Sequence, residues 1–560
     1  MTPPEVRPRI SQRHWTWWLM VAVLVIVAVA RLRLLDFPLE RDEGEYAYAG
    51  QLILQGIPPY ELACNMKFPG TYLAYAGIMA VFGQTPAGIH FGLLLMTTAT
   101  ALMLFWLGKK ILDETAGVVA ATSYALLAAS PSMLGQAGHA TQFCAFFVTA
   151  GLSLMWRARQ TENWPVLAAS GALFGTAVLM KQHAAIIAAW AGLSFAFGKI
   201  FCAKDSFRRR IASVAVYGFS MLTPLGLCCL WLWHAGVFET FKFWTFDYAR
   251  AYASIMRPTG ASSLFWRNFG WVIISGILLW LLAVAGLVLV WFDGRLKNSR
   301  GWLLGFCASS SLAVCPDFYF RPHYFLIAVP AMAMLAGAAV SVTCQWRFGR
   351  KFMPGIYVLM VAMTIATCAG PWFFIPKLKL AREMYGFDPL PEAERVANFI
   401  RENSSPHARV AVLGSEPEIY FLSHRHSATG YIYIYALGEP QPFAEKMRRE
   451  MIAEIESCQP EFVVVSDTAR WQIPATNSTP SIFDWWKNYQ TNYTRVGVAD
   501  IIFRNETTIE TIYAFGTNAV ARHGKIHRCA LEVFQRKPGP FPEPTNLMET
   551  DEQRTNLKTP

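Results

Sequence analysis

Long apolar stretches alternate with short polar ones from residue 15 to residue 375, and then the alternation stops. A helix needs about 20 apolar residues to cross a bilayer, and the first run that qualifies is WTWWLMVAVLVIVAVARLRLL, from Trp15. Later runs predict spans near 86–108, 116–134, 141–156, 165–180, 183–198, 211–234, 268–292, 302–318, 323–343 and 353–375, eleven in all. Every second span end meets basic residues: Lys109 and Lys110, Arg157 and Arg159, Lys199 to Arg210, Arg295 to Arg300, and Arg347 to Lys351. Lys and Arg are retained in cytoplasmic loops. Those ends are therefore predicted inside, together with Arg7, Arg9 and Arg13 ahead of the first span. That span has no small-residue cleavage site after it, which favours an anchor over a signal peptide. An odd number of crossings puts the rest of the chain outside.

After residue 375 the pattern changes period. RVAVLGSEPEIYFLS and EFVVVSD, β-branched and short, flank the helix-like PFAEKMRREMIAEIES and follow PEAERVANFIREN. Strand, helix, strand predicts a small α/β domain. The expected organisation is a cytoplasmic N-terminus (1–14), a membrane domain (15–375) whose first outside loop is 36–85, an extracytoplasmic α/β domain (376–537) and a disordered Pro-rich, polar tail (538–560). The fold class is a mainly α polytopic membrane protein with that domain at its C-terminus.

Composition agrees. Of 560 residues 54% are hydrophobic and 16% charged, against about 25% charged in soluble domains. The net charge of +11 follows from the inside loops, so it does not indicate nucleic acid. Most of the cysteines lie in apolar segments, where a thiol is a small hydrophobe; Cys458 and Cys529 could pair if the tail is outside.

The stretch LERDEGEYAYAGQLILQGIPPY (39–60) sets four acids beside the first span. Asp42 can cap a helix with Glu45 three residues on, and Gly56, Pro58 and Pro59 end it. Capping accounts for one or two carboxylates. It leaves Glu40, Asp42, Glu43 and Glu45 crowded, which raises pKa values unless a cation or a function intervenes. NMKFPGTYL then supplies Lys67, with Pro69 at a helix start. Lys181, in LMKQHAAII, either lies at membrane depth facing a cavity or snorkels; both stay open.

RDEGEYAYAGQLILQGIPPY followed by KFPGTYLAYAGIMAVFG resembles the first extracytoplasmic loop of the GT-C glycosyltransferases, in the bacterial branch similar to protein O-mannosyltransferases and the lipid A aminoarabinose transferase. GALFGTAVLMKQHAAII, FYFRPHYFLIAVPAMAMLAG and GSEPEIYFLSHR extend the resemblance. It implies transfer of a sugar from a polyprenyl-phosphate carrier to a lipid, glycan or protein acceptor on the extracytoplasmic face of a bacterial inner membrane, with inversion. By that resemblance Asp42 is the general base and Glu43 its partner or alternate. Lys67, Arg321, His323, Tyr324 and Lys181 are assigned to the carrier phosphate, and Arg41, Tyr46 and Tyr60 to the rest of the substrate. Glu45 is read as a cap. Hard cations favour several oxygens, so the acid cluster admits a divalent cation without requiring one.

The chain departs from the family where an acid is usual in the second outside loop. GHATQFCAFF has His139 and Gln142 there, and Asp247 is a loosely held replacement. A transporter or flippase is the rival reading, since paired short helices and an intramembrane lysine suit one. The enzyme reading requires the acids to border a lipid-open pocket, with Lys67 facing them across a gap as wide as a phosphosugar.

Overall fold

The structure is a computed structural model that describes residues 12–200, 207–256, 258–466, 481–503, 509–523 and 528–539. Arg7, Arg9, Lys204, most of the expected disordered tail and the side chain of Cys529 lie outside the described residues. The chain divides into two compact units, Met1–Gly386 and Phe387–Pro560.

The first unit is helical. In chain order it has α1 (Gln12–Arg33), α2 (Arg41–Leu54), α3 (Gly70–Phe82), α4 (Pro86–Ile111), α5 (Glu114–Ala128), α6 (Ala140–Thr161), α7 (Trp164–Met180), α8 (Ala184–Ile200) and α9 (Phe207–His234). Then come α10 (Phe238–Lys242), a π-helical turn (Phe243–Tyr248), α11 (Ala249–Ile255), α12 (Pro258–Ile273), α13 (Ile277–Leu289), α14 (Arg300–Leu312), α15 (Val329–Gln345), α16 (Arg347–Ala369) and α17 (Lys377–Tyr385). Each expected span falls on a helix or, for 268–292, on α12 and α13 in succession. Among the described residues five stretches are long and apolar enough to cross a bilayer: Thr16–Arg33, Pro86–Ile111, Phe207–His234, Thr259–Leu289 and Arg347–Phe374.

Local chemistry fixes several starts. The Thr85 hydroxyl accepts the Gly88 N–H ahead of Pro86, and the Asp113 carboxylate accepts that of Ala116, as N-caps do. Helices that alternate in direction bring the end of α1, the start of α4, the end of α5, the start of α6, the α7–α8 break and the start of α15 to one end of the bundle. Lys109, Arg209 and Arg295, paired with Glu114, Glu162 and Asp113, lie at the other.

At the first end the loop after α2 is pinned to the α7–α8 break. The Thr71 hydroxyl donates to the Met180 carbonyl (3.0 Å) and the Gln182 amide to the Met66 carbonyl (2.9 Å). Gly70 allows this approach, because a Cβ there would stand 2.5 Å from the backbone of Leu179.

The second unit holds a six-stranded sheet: β1 (Arg409–Leu413), β2 (His426–Ser427), β3 (Phe462–Ser466), β4 (Tyr493–Phe503), β5 (Ile509–Phe515) and β6 (Arg528–Arg536), in the order β2-β1-β3-β6-β4-β5. β2, β1 and β3 run parallel, and β6, β4 and β5 add antiparallel. The expected β1, helix (Ala444–Cys458) and β3 form one parallel crossover, and Leu390–Glu402 is the expected preceding helix. The second half of RVAVLGSEPEIYFLS is helical, over Glu418–Ser423, rather than extended. Cys458 is a free thiol.

Candidate active site

The chain reaches α2 through Phe37 and Leu39, both 2% exposed. That packing sets the helix start two residues earlier than the sequence suggests. Glu40, not Asp42, is the N-cap: its carboxylate accepts the Asp42 N–H (2.7 Å) while its own N–H donates to Glu43 Oε2 (3.2 Å). The reciprocal pair is a capping box, and it corrects the expected Asp42 and Glu45 caps. Asp42 is thereby released from capping.

Each acid then has a separate environment. Asp42 is 18% exposed, and its Oδ1 accepts from the Lys67 ammonium at 2.8 Å. The same ammonium bonds Glu45 Oε2 at 2.7 Å and lies 4.5 Å from the centre of the Tyr46 ring. Glu45, fully buried, also accepts from Asn65 (2.8 Å) and from the Tyr72 hydroxyl (2.5 Å). It is the hub that orients Lys67. No gap separates Lys67 from Asp42, so the expected facing arrangement is corrected to a direct contact. Opposite charges in a poorly hydrated site attract far more strongly than in water, which explains why the lysine folds onto the acids.

Burial alone would raise the Asp42 carboxyl, but Lys67 overturns this and holds it well below the usual carboxylate range. Burial, and after it the charge of Asp42, pushes Glu40 up to about 8.

Glu43 is fully buried. Its Oε1 accepts the Gly138 N–H (2.6 Å) and bonds His90 Nε2 (3.1 Å). These partners outweigh burial and hold its carboxyl low. The Tyr75 hydroxyl donates to the Gly138 carbonyl (2.7 Å), and Arg31 donates to the Gly135 carbonyl (2.9 Å). Glu43 thus staples α2 to the 135–139 loop. Gln142 braces the same loop, donating to the carbonyls of Gly135 and Ala137.

The staple delivers His139. Its Nδ1 lies 4.0 Å from Asp42 Oδ2, and so does His323 Nε2. The two imidazoles stack, with centroids 4.0 Å apart and planes 9° from parallel. The Thr141 hydroxyl donates to the His323 carbonyl (2.8 Å), tying the two loops. Both nitrogens of His139 and Nδ1 of His323 are buried without a hydrogen-bond partner, at a cost of about 1–3 kcal/mol for each unmet group. Burial pushes His139 down to about 4. Asp42, His139 and His323 have ligating atoms within 4.8 Å of one another and are, among the described residues, a group that could hold a metal ion.

The remaining predicted residues divide. Lys181 caps α7 and sets its ammonium 3.5 Å from the Tyr324 ring centre, so it joins the site rather than snorkelling away. Arg321 is exposed and donates to the Tyr252 hydroxyl (3.2 Å), and the Tyr324 hydroxyl donates to Asp317 (3.3 Å). Tyr60, expected at the substrate, braces the Lys67 loop. It is 2% exposed, has a φ of 69°, and donates to the Lys67 carbonyl (2.7 Å). Tyr46 is buried against Tyr72 and Tyr75 under the lysine, and Arg41 is half-buried at the first helical position. Asp247 is exposed on the π-helical turn; His139 stands where the missing acid was sought. Glu45 as hub and the imidazole stack were not foreseen, and only the position of His139 in the second loop signalled the latter.

Residues 67–233 match the family model described as dolichyl-phosphate-mannose-protein mannosyltransferase. Among solved structures, ArnT from Cupriavidus metallidurans bound to undecaprenyl phosphate superposes with a TM-score of 0.55 at 14% identity, over 89% of this chain and 98% of that one. The chain has the GT-C fold. Apo ArnT gives 0.51 at 12% identity, over 90% and 98% of the two chains. A GT-C oligosaccharyltransferase of Archaeoglobus fulgidus, solved with Zn and sulfate, gives 0.49 at 13% identity, over 89% and 73%. No curated protein matches the sequence significantly.

Proposed function

We propose that the protein is an integral-membrane glycosyltransferase that moves a sugar from a polyprenyl-phosphate carrier to a hydroxyl acceptor. The observation that carries this reading is the Asp42–Lys67 contact at the loop end of a GT-C bundle, beside Lys181 and Arg321. ArnT was solved with undecaprenyl phosphate, and the matched family model is named for a dolichyl-phosphate-mannose donor. A transporter would gather its polar groups near the midplane, whereas here they gather at one end.

In the resting state the lysine bonds two carboxylates, and an acid so paired is a weak base. A phosphate arriving near Lys181 and Arg321 attracts the Lys67 ammonium away from Asp42 Oδ1, while Glu45 keeps its hold. Asp42 then regains basicity when the donor is in place. The acceptor oxygen attacks the anomeric carbon, its proton passes to Asp42, and the sugar–phosphate bond breaks with its electron pair leaving on the phosphate. Lys67, Lys181 and Arg321 balance that growing charge. One available carboxylate fits inversion, since retention needs a second as nucleophile about 5 Å away and Glu43 and Glu45 are both buried and bonded.

The basic clusters at the other end support a cytoplasmic placement of that end, eleven crossings, and a site that opens on the outer face of a bacterial inner membrane. The test is purified protein in lipid with a labelled polyprenyl-phosphate sugar. Label transfer and release of the lipid phosphate support the reading; their absence with every carrier and acceptor tried defeats it.

A further inference from the structure

We propose that Asn268, on α12, is a positioning residue: its side-chain amide holds a strained turn, residues 317–320, in the shape that presents Arg321 to an anionic headgroup. That the headgroup is the phosphate of a polyprenyl carrier rests on the reading above.

The backbone singles this turn out. Among the described residues eight non-glycines have positive φ, and three of them fall here: Asp317 at 66°, Phe318 at 58° and Phe320 at 46°. Four of the others, Leu134, Glu162, His424 and Gln459, end helices, where one left-handed residue is ordinary. Residues 317–320 end none. They lie between Ala313, which closes α14, and the turn that begins at Pro322. A β-carbon on a left-handed residue crowds the following carbonyl oxygen. A phenylalanine in that conformation persists only where its surroundings enforce it.

The enforcement comes from α11 and α12. The Asn268 amide donates to the carbonyls of Phe320 (3.0 Å) and Tyr319 (3.4 Å). Phe320 is buried and meets the Phe265 ring edge-on, with centroids 5.1 Å apart, and Tyr319 stacks on Tyr252 at 5.0 Å. Within the turn, Asp317 accepts the Tyr319 N–H (3.1 Å) and the Tyr324 hydroxyl (3.3 Å). Asn268 is half-buried, and an amide suits its place because it has two donor hydrogens for two backbone acceptors. A carboxylate of the same shape would set negative charge against both carbonyls.

What the turn delivers is charge. Arg321 follows Phe320 directly, donates to the Tyr252 hydroxyl and lies 5.6 Å from the Tyr319 ring centre. Tyr324, three residues on, lies against the Lys181 ammonium. Relaxing any of the three φ angles to a negative value redirects the chain as it enters Arg321. A group that must meet a phosphate in a set geometry loses much of its effect when displaced by about 1 Å.

The experiment measures binding of undecaprenyl phosphate to the full chain in detergent, with transfer from a labelled polyprenyl-phosphate sugar alongside. Asn268→Asp should weaken binding by about 10-fold and raise the carrier KM by a similar factor. The acceptor KM and the helical circular dichroism should hold. Should that variant fail to fold, Asn268→Ser gives the same readout. Arg321→Gln should weaken binding as much, and the double variant no more than either alone, because the two residues act as one unit. Phe318→Gly, placed in the Asn268→Asp chain, should recover part of the lost affinity, since glycine takes positive φ without strain. Fully additive losses, no recovery with glycine, or binding that Asn268→Asp leaves unchanged each overturn the proposal. Wild-type protein that binds undecaprenyl phosphate but transfers no sugar defeats the transferase reading and spares the role of Asn268. Transfer at the wild-type carrier KM in Asn268→Asp does the reverse, and wild-type protein that binds no polyprenyl phosphate overturns both.

Discussion

The two ends of the helix bundle both carry charge, but they hold it differently. At the basic end three pairs are wholly or partly open to solvent: Lys109–Glu114 at 3.2 Å, Arg209–Glu162 at 2.9 Å and Arg295–Asp113 at 2.8 Å. At the loop end Glu43 and Glu45 are fully buried, and each is bonded by named donors. Exposed pairs contribute about 0–1 kcal/mol, whereas removing one partner of a buried pair costs about 3–5 kcal/mol. Charge at the first end adds little to stability; charge at the second ties α2 to the loops around it.

The contrast can be broken most sharply at Asp42. Asp42→Asn should lower transfer by about 10³-fold while expression and melting temperature hold; normal turnover would defeat the base assignment. Lys67→Ala should cost about 10²-fold and, by removing its partner, bring the Asp42 carboxyl up. The acid limb of the pH–rate profile should then move to higher pH, which a wild-type profile alongside would check. Glu43→Gln keeps an acceptor for the Gly138 N–H but weakens the His90 contact. It should cost about 10-fold in transfer, read as a lower kcat with the carrier KM little changed.

Glu40 gives a smaller, pH-dependent test. Its folded carboxyl titrates near 8, above its unfolded value, so the folded state is increasingly penalised as pH rises from about 4.5 to 8 and no further above that. The melting-temperature difference of Glu40→Gln over wild type should grow across that window and then level off. At the other end, Arg209→Ala should change stability by no more than about 0.5 kcal/mol and leave transfer unaltered. A large loss there would erase the distinction between the ends.

What the sequence disclosed follows the same division. Runs of about 20 apolar residues are a one-dimensional signal, so the long apolar helices of the first unit were legible, as was α3 from Pro69; the short α10, α11 and α17 were not. The capping register was not. Glu40-x-x-Glu43 and Asp42-x-x-Glu45 fit the same local pattern, and burial of Phe37 and Leu39 chose between them. The imidazole stack joins residues far apart in the chain, which no local pattern encodes. In the second unit the parallel strands β1 and β3 were read from their β-branched runs. β2, β4, β5 and β6 were missed: β2 has only two residues, and register shifts between Arg495 and Gly497 and between Ala499 and Ile501 interrupt in β4 the alternation that marks a half-buried strand.

The bonds from Thr71 to Met180 and from Gln182 to Met66 place Lys67 and Lys181 on a common frame. Their separation is therefore a property of the backbone, settled before any ligand arrives, and an incoming headgroup must conform to it. Little ordering entropy remains to be lost on binding, so selectivity between anionic headgroups of different length becomes a matter of ruler against rod.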